Sequence, residues 1–246
     1  MKKFKADLHI HTVLSPCADL EMTPQKIVKK ARGRGLDIIG ITDHNSTRNA
    51  LLVKNVAQKE GIFTLTGVEV TTREEVHCLA FFEQENQLLL FQKFLEENLT
   101  KIPNLNGHFG YQPVIDEQEN IIELIPFFLP AALKSSIQQV HKVVRELDGL
   151  FIPAHIDRQA NSILTQLGFI PEDLSYDALE LSRNGSEKHV GKQYGFPDNT
   201  CFIHSSDAHY LEQIGDICTV FYIKDMSFPE IKKALHKKEC RFVEKI

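Results

Sequence analysis

Short apolar runs alternate with amphipathic segments along most of the chain. This alternation is typical of repeated β–α units in an α/β fold. A chain of 246 residues suits one large α/β barrel or two small domains. Seven of the apolar runs are predicted to be strands: Phe4–His9, Asp37–Thr42, Phe63–Glu69, Val76–Phe82, Leu150–His155, Ala178–Leu181 and Thr200–His204.

Several helices are predicted from their capping residues. Thr23 precedes a proline that can occupy the first helical position. The Ser-Phe-Pro-Glu sequence that begins at Ser227 is typical of a capping box, and Ser135 and Ser186 are further cap candidates. The helix predicted over 135–147 has one apolar face, formed by Ile137, Val140, Val144 and Leu147.

Residues 84–134 interrupt the alternation. Leu88–Leu99 is predicted to be a helix, and residues 114–116 and 121–124 are predicted to form a hairpin around a polar turn. We interpret this stretch as an insertion between the fourth and fifth strands of a single domain spanning residues 1–246, covering one end of it. The insertion is either a lid or additional packing, and the sequence leaves both open.

Charge and composition exclude several classes of protein. With 28 basic and 33 acidic residues the net charge is −5, which argues against an extended nucleic-acid surface but not against a small nucleotide substrate. Five widely spaced cysteines without a Cys-x-x-Cys pair argue against a disulfide scaffold. No apolar run approaches the roughly 20 residues that span a bilayer, and Asp7, His9 and His11 interrupt any signal sequence. We therefore expect a cytoplasmic protein without membrane contact.

Eleven histidines are a large number for this length, and several lie where strands are predicted to end. His9 and His11 are two residues apart on the first strand, so both can reach one metal ion. Alone, such a pair is better explained as two ordinary core or surface histidines. Asp43 and His44 stand at the end of the second strand. They could be a metal ligand and the residue that orients it, or two ligands. The alternative is a polar strand end that caps the next helix.

Further candidates lie at the ends of other strands. Glu69 stands between two valines, where a carboxylate is costly to bury without a cation; an exposed edge position is the alternative. His77 and His155 adjoin apolar strands, where a single histidine is more often a hydrogen-bonded core residue than a ligand. Asp207 and His209 repeat the two-residue spacing, and Asp19 lies in the loop after the first strand.

The joint placement of these residues is stronger evidence than any one of them. Six of the seven predicted strands carry a His, Asp or Glu near one end, and all but His77 lie at the carboxyl end. Active sites of parallel α/β folds form at that end. Nitrogen and oxygen donors without thiolate suit Zn²⁺, Mn²⁺ or Fe²⁺, and their number implies more than one ion.

In this order the motifs resemble those of the PHP family, named for polymerase and histidinol phosphatase. They are Asp7-Leu-His-Ile-His11, Thr42-Asp-His44, Gly67-Val-Glu69, Pro153-Ala-His155 and Ser206-Asp-Ala-His209. The resemblance implies an α/β fold of the distorted seven-stranded (β/α)7 TIM-like barrel type, with a trinuclear metal site. The seven strands predicted from the pattern agree with it.

The resemblance also implies three sets of ligands. The first ion would be held by His9, His11, Glu69 and Asp207; Glu69 would bridge to a second ion, held also by His77 and His155; the third would be held by Asp19, His44 and His209.

The third set contains a departure from the family's pattern. Many relatives have Ser-Asp-Gly shortly after the His-x-His motif, whereas this chain has Ser15-Pro-Cys-Ala-Asp19. Asp19 is favoured because its spacing to Pro24 is that of the family, and Cys17 is the competitor.

The implied activity is that of a hydrolase acting on phosphoester bonds. Two or three divalent ions (Zn²⁺, Mn²⁺ or Fe²⁺) would hold a bridging hydroxide, because a bound metal can lower the pKa of water to about 7. The expected substrate is a small phosphomonoester or nucleotide phosphate, and His209 or Asp19 would give a proton to the leaving oxygen. The alternatives are a 3′–5′ exonuclease acting on single-stranded nucleic acid and a non-catalytic metal-binding module. The oligomeric state is left open.

Arginines near the strand ends are expected to bind the substrate phosphate. Arg158 and Arg183 have the bidentate geometry that phosphate prefers, although each could simply pair with a neighbouring carboxylate. His108 and Lys134, in or beside the insertion, are weaker candidates. His204 is expected to pack in the core or support a ligand, and three histidines are expected at the surface: His141, His189 and His236.

A cluster of basic residues near the carboxyl terminus could contact nucleic acid. A solvated helix face is the better interpretation of its members: Lys232, Lys233, Lys237, Lys238 and Arg241.

Overall fold

The computed structural model describes residues 1–244, with the side chain of Asn106 excepted. Eleven strands are found in this range: β1 (Lys2–Ile10), β2 (Ile38–Ile41), β3 (Phe63–Thr71), β4 (His77–Phe82), β5 (Pro113–Ile115), β6 (Ile121–Leu124), β7 (Leu150–Pro153), β8 (Leu179–Leu181), β9 (Phe202–His204), β10 (Thr219–Ile223) and β11 (Phe242–Val243).

Seven α-helices are found in the same range: α1 (Pro24–Gly33), α2 (Ala50–Lys59), α3 (Glu85–Asn98), α4 (Ile137–Glu146), α5 (Ile163–Leu167), α6 (Glu187–Tyr194) and α7 (Phe228–Leu235). None of these helices has the length and apolar character needed to cross a bilayer.

The main sheet has seven strands in the order β11-β10-β1-β2-β3-β4-β7, and it curls into a half-barrel. A parallel pair, β8 and β9, occupies the gap that remains. Backbone hydrogen bonds tie the segments of this pair to β7 and to the end of β1: Asp177 N donates to Phe151 O at 2.9 Å, and His11 N donates to Ala208 O at 3.0 Å. The fold is therefore an α/β fold of the distorted TIM-like barrel type, as predicted.

All seven predicted strands exist, but they do not form one sheet. Five lie in the main sheet, and the last two form the separate β8–β9 pair. The main sheet reaches seven strands through β10 and β11, which were not predicted and which add an antiparallel edge beside β1.

The direction of β4 explains why His77 stands at the amino end of its strand. β3 is parallel to β1 and β2, whereas β4 is antiparallel to both β3 and β7. Reversal of β4 brings its first residue, His77, to the edge where the neighbouring strands end. The one apparent exception among the candidate ligands thus lies on the same side of the barrel as the others.

Apolar side chains fill the barrel below that edge. The inner core contains Leu8, Ile38, Leu65, Leu79 and Phe81, and the apolar face of α7 packs against it. A second, outer core lies between the sheet and the other helices. The register of β1 against β2 shifts between Asp7 and Ile10, and Leu8 belongs to the inner core whereas Ile10 belongs to the outer one.

The insertion forms the elements expected of it. It contains α3, which begins three residues earlier than predicted, and an antiparallel β5–β6 hairpin in which β6 has the predicted bounds and β5 is displaced by one residue. Its last part is tied to the barrel near β2, because Asn45 Nδ2 donates to Leu129 O at 2.8 Å and to Ala131 O at 3.0 Å.

Two helix starts differ from their prediction. α4 is capped by Ser136, whose hydroxyl accepts from Gln139 N at 3.3 Å, rather than by Ser135. The capping box at Ser227 does not form, because the carboxylate of Glu230 accepts instead from Lys224 N and Arg241. Ser186 caps α6 as predicted, and Thr23 occupies the predicted position before Pro24, although its hydroxyl makes no capping hydrogen bond.

Gly40 allows β2 to pack closely beside β1. A Cβ atom at Gly40 would lie 2.4 Å from the carbonyl oxygen of Leu8, so one of the two strands would have to move. Because β1 carries His9 and His11, the same displacement would disturb the candidate site.

We expect Gly40→Ala to lower the free energy of unfolding by about 2 kcal/mol, the usual cost of overpacking a core. Gly33→Ala is the matched control, because nothing lies within 4 Å of a Cβ there. It should leave stability unchanged or raise it slightly, since alanine is the better helix former. Urea unfolding followed by circular dichroism measures both. Equal stability of the two variants would contradict this account of β1–β2 packing.

Candidate metal centre

Eight predicted ligands meet at one edge of the barrel. Five of the residues are buried and three, His77, Asp207 and His209, are partly buried. They come from β1, from the residues after β2, from β3 and β4, from the residue after β7 and from the loop after β9. The eight are His9, His11, His44, Glu69, His77, His155, Asp207 and His209.

The carboxylate of Glu69 lies at the middle of this group. Its Oε1 is 2.7 Å from His77 Nδ1 and 3.0 Å from His155 Nε2. Its Oε2 is 3.0 Å from His44 Nδ1. His9 Nε2 and His11 Nε2 each lie 3.4 Å from one of the two oxygens. Two oxygens shared among five imidazoles are the arrangement expected of a carboxylate that bridges ions.

Several buried polar atoms of the group have no hydrogen-bond partner. A buried polar atom left in this way costs about 1–3 kcal/mol, so a cluster of them calls for a cation. Nitrogen and carboxylate oxygen are donors that Zn²⁺, Mn²⁺ and Fe²⁺ accept. The residues present therefore fit divalent metal ions, and the atoms concerned are His9 Nε2, His11 Nε2, His44 Nδ1, Glu69 Oε2 and Asp207 Oδ1.

Ligand atoms converge to within 4.8 Å of one another in three sets. The first set is identical to the predicted first ion site. In the second, His44 joins Glu69 and His77, while His155 contacts Glu69 without belonging to the set. In the third, His11 joins His44 and His209 in the position given to Asp19.

Asp19 is not brought into the group. Its Oδ1 accepts the backbone N–H of Glu21 at 2.7 Å. The thiol of Cys17 lies beside His209 and His44, which lower its pKa to about 7 against the opposing effect of burial. Cys17 thus lies beside two members of the third set and remains the competitor of Asp19 for the third ion.

A buried carboxylate that was not predicted orients His9. Glu180 in β8 is 2% exposed, and its Oε2 lies 3.0 Å from His9 Nδ1 and accepts the backbone N–H of His155 at 3.1 Å. This contact leaves Nε2 of His9 facing Glu69 and Asp207. A glutamate between two leucines of a buried strand was the sequence signal for this role.

His11 is oriented by a relay. Its Nδ1 lies 2.9 Å from the hydroxyl of Ser15, which donates to Asp43 Oδ1 at 2.7 Å. Asp43 also accepts from the backbone and the hydroxyl of Thr12, both at 2.7 Å. Of the roles considered for Asp43, the structure supports that of an orienting partner, which fixes ligand geometry in metal sites.

The charges of the group are strongly coupled. Although burial opposes it, the charge of Glu69 and contacts with Cys17 raise the pKa of His44 to about 10. Burial also opposes the charge on Glu69, yet the surrounding histidines hold its pKa well below the usual range. Burial lowers the pKa values of His11 and His77, so only some of the histidines carry protons that balance the buried carboxylates. Metal binding must displace those protons, because a coordinating imidazole is neutral.

The two predicted phosphate contacts differ in position. Arg158 Nη2 lies 2.5 Å from Asp207 Oδ2, so its guanidinium reaches the group. Arg183 Nη2 lies 3.4 Å from Asp216 Oδ2, and no contact joins it to a ligand in the described part of the chain.

The remaining candidates lie outside the group. His108 and Lys134 are exposed. His204 is buried with a lowered pKa, caused by burial. His141 contacts Ser175, and His236 contacts the buried Asp177 at 2.7 Å.

The carboxyl-terminal basic cluster is largely occupied by internal contacts. Lys232 pairs with Asp148 at 2.6 Å and Lys233 with Glu239 at 2.9 Å. Arg241 is buried and pairs with Glu230, so it does not belong to an exposed cationic face.

The sequence profile of the PHP domain matches residues 7–160, which is more than half of the chain. The chain therefore belongs to the PHP domain family. The matched range contains six of the eight converging residues, and Asp207 and His209 follow it.

Two curated proteins of undescribed activity are similar in sequence. An uncharacterized Methanocaldococcus jannaschii protein is 35% identical over 78 residues, covering 28% of this chain and 46% of its own length. The uncharacterized protein YqxK of Bacillus subtilis is 25% identical, covering 98% of this chain and 64% of its own length. The chain thus spans less than two thirds of either relative.

Solved structures share the fold. Endonuclease Q of Pyrococcus furiosus, a lesion-specific endonuclease, has a TM-score of 0.74 at 21% identity, covering 98% of this chain and 58% of its own. A second Endonuclease Q structure holds a 27-mer duplex substrate with an abasic lesion at its active site. A Bifidobacterium adolescentis protein assigned as a metal-dependent phosphoesterase has a TM-score of 0.57 at 17% identity, covering 95% of this chain and 96% of its own.

Replacing Cys17 and Asp19 in turn tests which residue binds an ion with His44 and His209. We expect Cys17→Ala to weaken binding of one ion by at least about tenfold, because one donor is lost. Asp19→Asn should bind as many ions as the wild type. Native mass spectrometry counts the ions, and cobalt substitution should show thiolate-to-cobalt absorption only where Cys17 is present. Loss of the ion in Asp19→Asn, with Cys17→Ala unaffected, would reinstate Asp19.

Proposed function

We propose that the chain hydrolyses phosphoester bonds at the Glu69 centre, on a small phosphomonoester or a nucleotide phosphate. The observation that carries the proposal is the convergence of unpartnered nitrogen and oxygen atoms on both sides of one buried carboxylate. Family membership supports it, and so does the fold shared with a protein assigned as a metal-dependent phosphoesterase.

The protein residues supply the binding and orientation that this chemistry requires. His9, His11, Glu69 and Asp207 would hold one ion; Glu69, His77 and His155 would hold a second; and His44 and His209, with Cys17 or Asp19, would hold a third. When bound, such ions lower the pKa of water and neutralise phosphoryl oxygens. Glu180 and the Asp43–Ser15 pair keep the imidazoles in position for these roles.

Arg158 is the residue best placed to hold the substrate phosphate. Its side chain is 44% exposed, so one part of the guanidinium contacts Asp207 while the rest faces solvent. That exposed part can donate two hydrogen bonds to a phosphate approaching the same edge. Arg183 is a more distant candidate, because its guanidinium lies against Asp216.

His209 is our candidate for the proton that the leaving oxygen requires. Its side chain is 20% exposed, more than those of His9, His11 and His44, so it borders the solvent-facing side of the group. The Nδ1 of His209 lies 2.9 Å from the backbone carbonyl of Asp207, so its Nε2 can either bind an ion or carry the proton for the leaving oxygen, but not both at once. Asp19 was proposed for the same role, and its contact with Glu21 gives the role less support.

Nucleic-acid strand cleavage is the second candidate function. It is favoured by the likeness to Endonuclease Q, which covers nearly the whole chain with a TM-score of 0.74. At 21% identity this likeness concerns the fold, so the substrate of that enzyme is a hypothesis for this chain. Exonuclease action would release mononucleotides, and internal cleavage would release longer products.

A panel of phosphoesters tests the activity. Protein loaded with Mn²⁺, Zn²⁺ or Fe²⁺ should release product from at least one of a nucleoside monophosphate, bis-p-nitrophenyl phosphate and single-stranded DNA. Asp207→Asn should lower kcat/KM at least about 100-fold, because it removes an ion ligand and the partner of Arg158. Asp148→Asn, at an 82% exposed side chain paired with Lys232, is the control and should stay within threefold of the wild type, a change of roughly 0.6 kcal/mol or less.

The outcomes separate the three functions. Turnover lost only in Asp207→Asn supports a hydrolase, and the product identifies the substrate. No turnover of any phosphoester by metal-loaded protein would contradict it and leave a non-catalytic metal-binding module. Equal activity of Asp207→Asn and wild type would show that the measured turnover belongs to another protein.

A further inference from the structure

One loop of the insertion exposes an unusual amount of apolar surface. Leu105 is 73% exposed, Phe109 41% and Tyr111 58%. All three lie on residues 104–111, which we call the aromatic loop. Burying large apolar side chains is favourable, so their exposure on one short loop indicates a surface that binds something.

The aromatic loop has a defined backbone conformation. Asn104 is buried, and its side chain donates to Gly110 O at 2.8 Å and accepts from Phe109 N at 2.9 Å. The backbone N–H of Asn104 donates to Pro126 O at 2.8 Å. These hydrogen bonds fix the loop from inside, so its rings are held outward by the backbone and lose little entropy when a ligand covers them.

The aromatic loop borders the Glu69 centre. A Cβ atom at Gly110 would lie 2.4 Å from the carbonyl oxygen of Pro16, so the loop lies directly against that residue. Pro16 stands between Ser15, which contacts His11, and Cys17, whose thiol contacts His44 and His209. The aromatic loop therefore contacts Pro16, and the two residues that flank Pro16 contact three of the candidate ligands.

A second contact fixes the loop on the His44 side. The ring of Phe109 packs on that of Phe128 with their centroids 4.6 Å apart. The residue after Phe128, Leu129, accepts a hydrogen bond from the side chain of Asn45, which follows His44. A substrate group that extends from the centre toward Cys17 and His44 would thus meet these rings.

The charge of the segment suits a substrate that carries phosphates. Residues 98–115 contain no Asp or Glu, although the chain has 33 of them in 246 residues. The basic residues of this stretch are Lys101 and His108, and both are exposed. No carboxylate of the aromatic loop would therefore repel a phosphate beside it.

We propose that the aromatic loop binds an unpaired nucleobase of a single-stranded nucleic acid whose scissile phosphate lies at the Glu69 centre. Exposed rings at a phosphate-binding site are the usual means of holding single strands, because every base offers a π-face for stacking. Tyr111 and Phe109 are the residues expected to stack. The inference rests on phosphoester hydrolysis at the Glu69 centre in its second form, nucleic-acid strand cleavage, and adds the part of the substrate that lies outside the centre.

Binding of two matched probes to the metal-loaded protein tests the proposal. One is a fluorescein-labelled ten-nucleotide oligothymidine with phosphorothioate linkages, which slow hydrolysis. The other is the same chain with abasic tetrahydrofuran sugars, which has the charge but no bases. We expect the wild type to prefer oligothymidine by at least about fivefold, the lower limit for stacking of one base.

Leucine variants assign that preference to the loop. Tyr111→Leu keeps an apolar side chain but loses the ring, so affinity for oligothymidine should fall at least about fivefold while affinity for the abasic probe is unchanged. Phe109→Leu should act in the same direction. Phe242→Leu, which replaces an exposed ring on the edge strand β11, is the matched control and should change neither affinity.

Two outcomes would overturn the proposal. One is unchanged oligothymidine affinity in the variant that combines Tyr111→Leu and Phe109→Leu, provided its circular dichroism and ion count match the wild type. The other is an equal loss on both probes, which would indicate a change in charge or folding. If neither probe binds, the proposal is wrong and the exposed apolar loop is better explained as a surface that binds a protein partner. Competition by thymidine 5′-monophosphate would support base stacking and indicate a free nucleotide as the ligand.

Failure of this proposal is distinct from failure of the proposed function. Binding is measured without turnover, so base-selective binding by a protein that cleaves no phosphoester would leave the loop assignment standing. Turnover of a phosphoester without a preference for the probe with bases would support the proposed function and contradict the role of the loop.

Discussion

The structure is organised around one buried carboxylate. Glu69 is 1% exposed and lies within 3.4 Å of five histidine nitrogens. A buried anion is costly unless a cation or hydrogen-bond donors compensate it. Imidazole protons can do so in part, but they leave several buried nitrogen and oxygen atoms without partners. Divalent ions satisfy the carboxylate and those atoms together, which accounts for the concentration of histidines in this chain.

The fold places the ligands around this carboxylate because strands that run in opposite directions end or begin at the same edge of the barrel. β1, β2, β3 and β7 contribute their carboxyl ends, and the reversed β4 contributes its amino end. Two residues of the edge, His155 and Asp207, adopt positive φ angles of 30° and 51°. Such conformations are unfavourable for residues other than glycine and tend to occur at functional sites.

Much of this could be predicted from the sequence, because two-residue spacing and strand ends are local properties. His9 with His11, and Asp207 with His209, follow directly from them. The direction of β4 could not be predicted, since it depends on which strands pair. The β10–β11 edge was missed because it follows the last βα unit and pairs backward onto β1.

The loop after β1 shows a second limit. Sequence spacing favoured Asp19, but turns at residues 12–18 and the hydrogen bond from Asp19 N to His209 O at 2.8 Å decide which side chain faces the centre. Cys17 is the one beside His44 and His209, whereas the carboxylate of Asp19 accepts from Glu21 N. Glu180 was missed for a related reason: a single acidic residue in an apolar strand carries no motif, and its role is visible only when His9 and His155 are seen beside it.

The central claim is that Glu69 holds a centre of more than one metal ion. The most direct measurement is the number of ions per chain, by native mass spectrometry, in the wild type and in Glu69→Gln, with the exposed Glu83→Gln as control. We predict two or three ions in the wild type and in Glu83→Gln, and loss of at least two in Glu69→Gln. Fewer than two ions in the wild type, or a full complement in Glu69→Gln, would contradict the account.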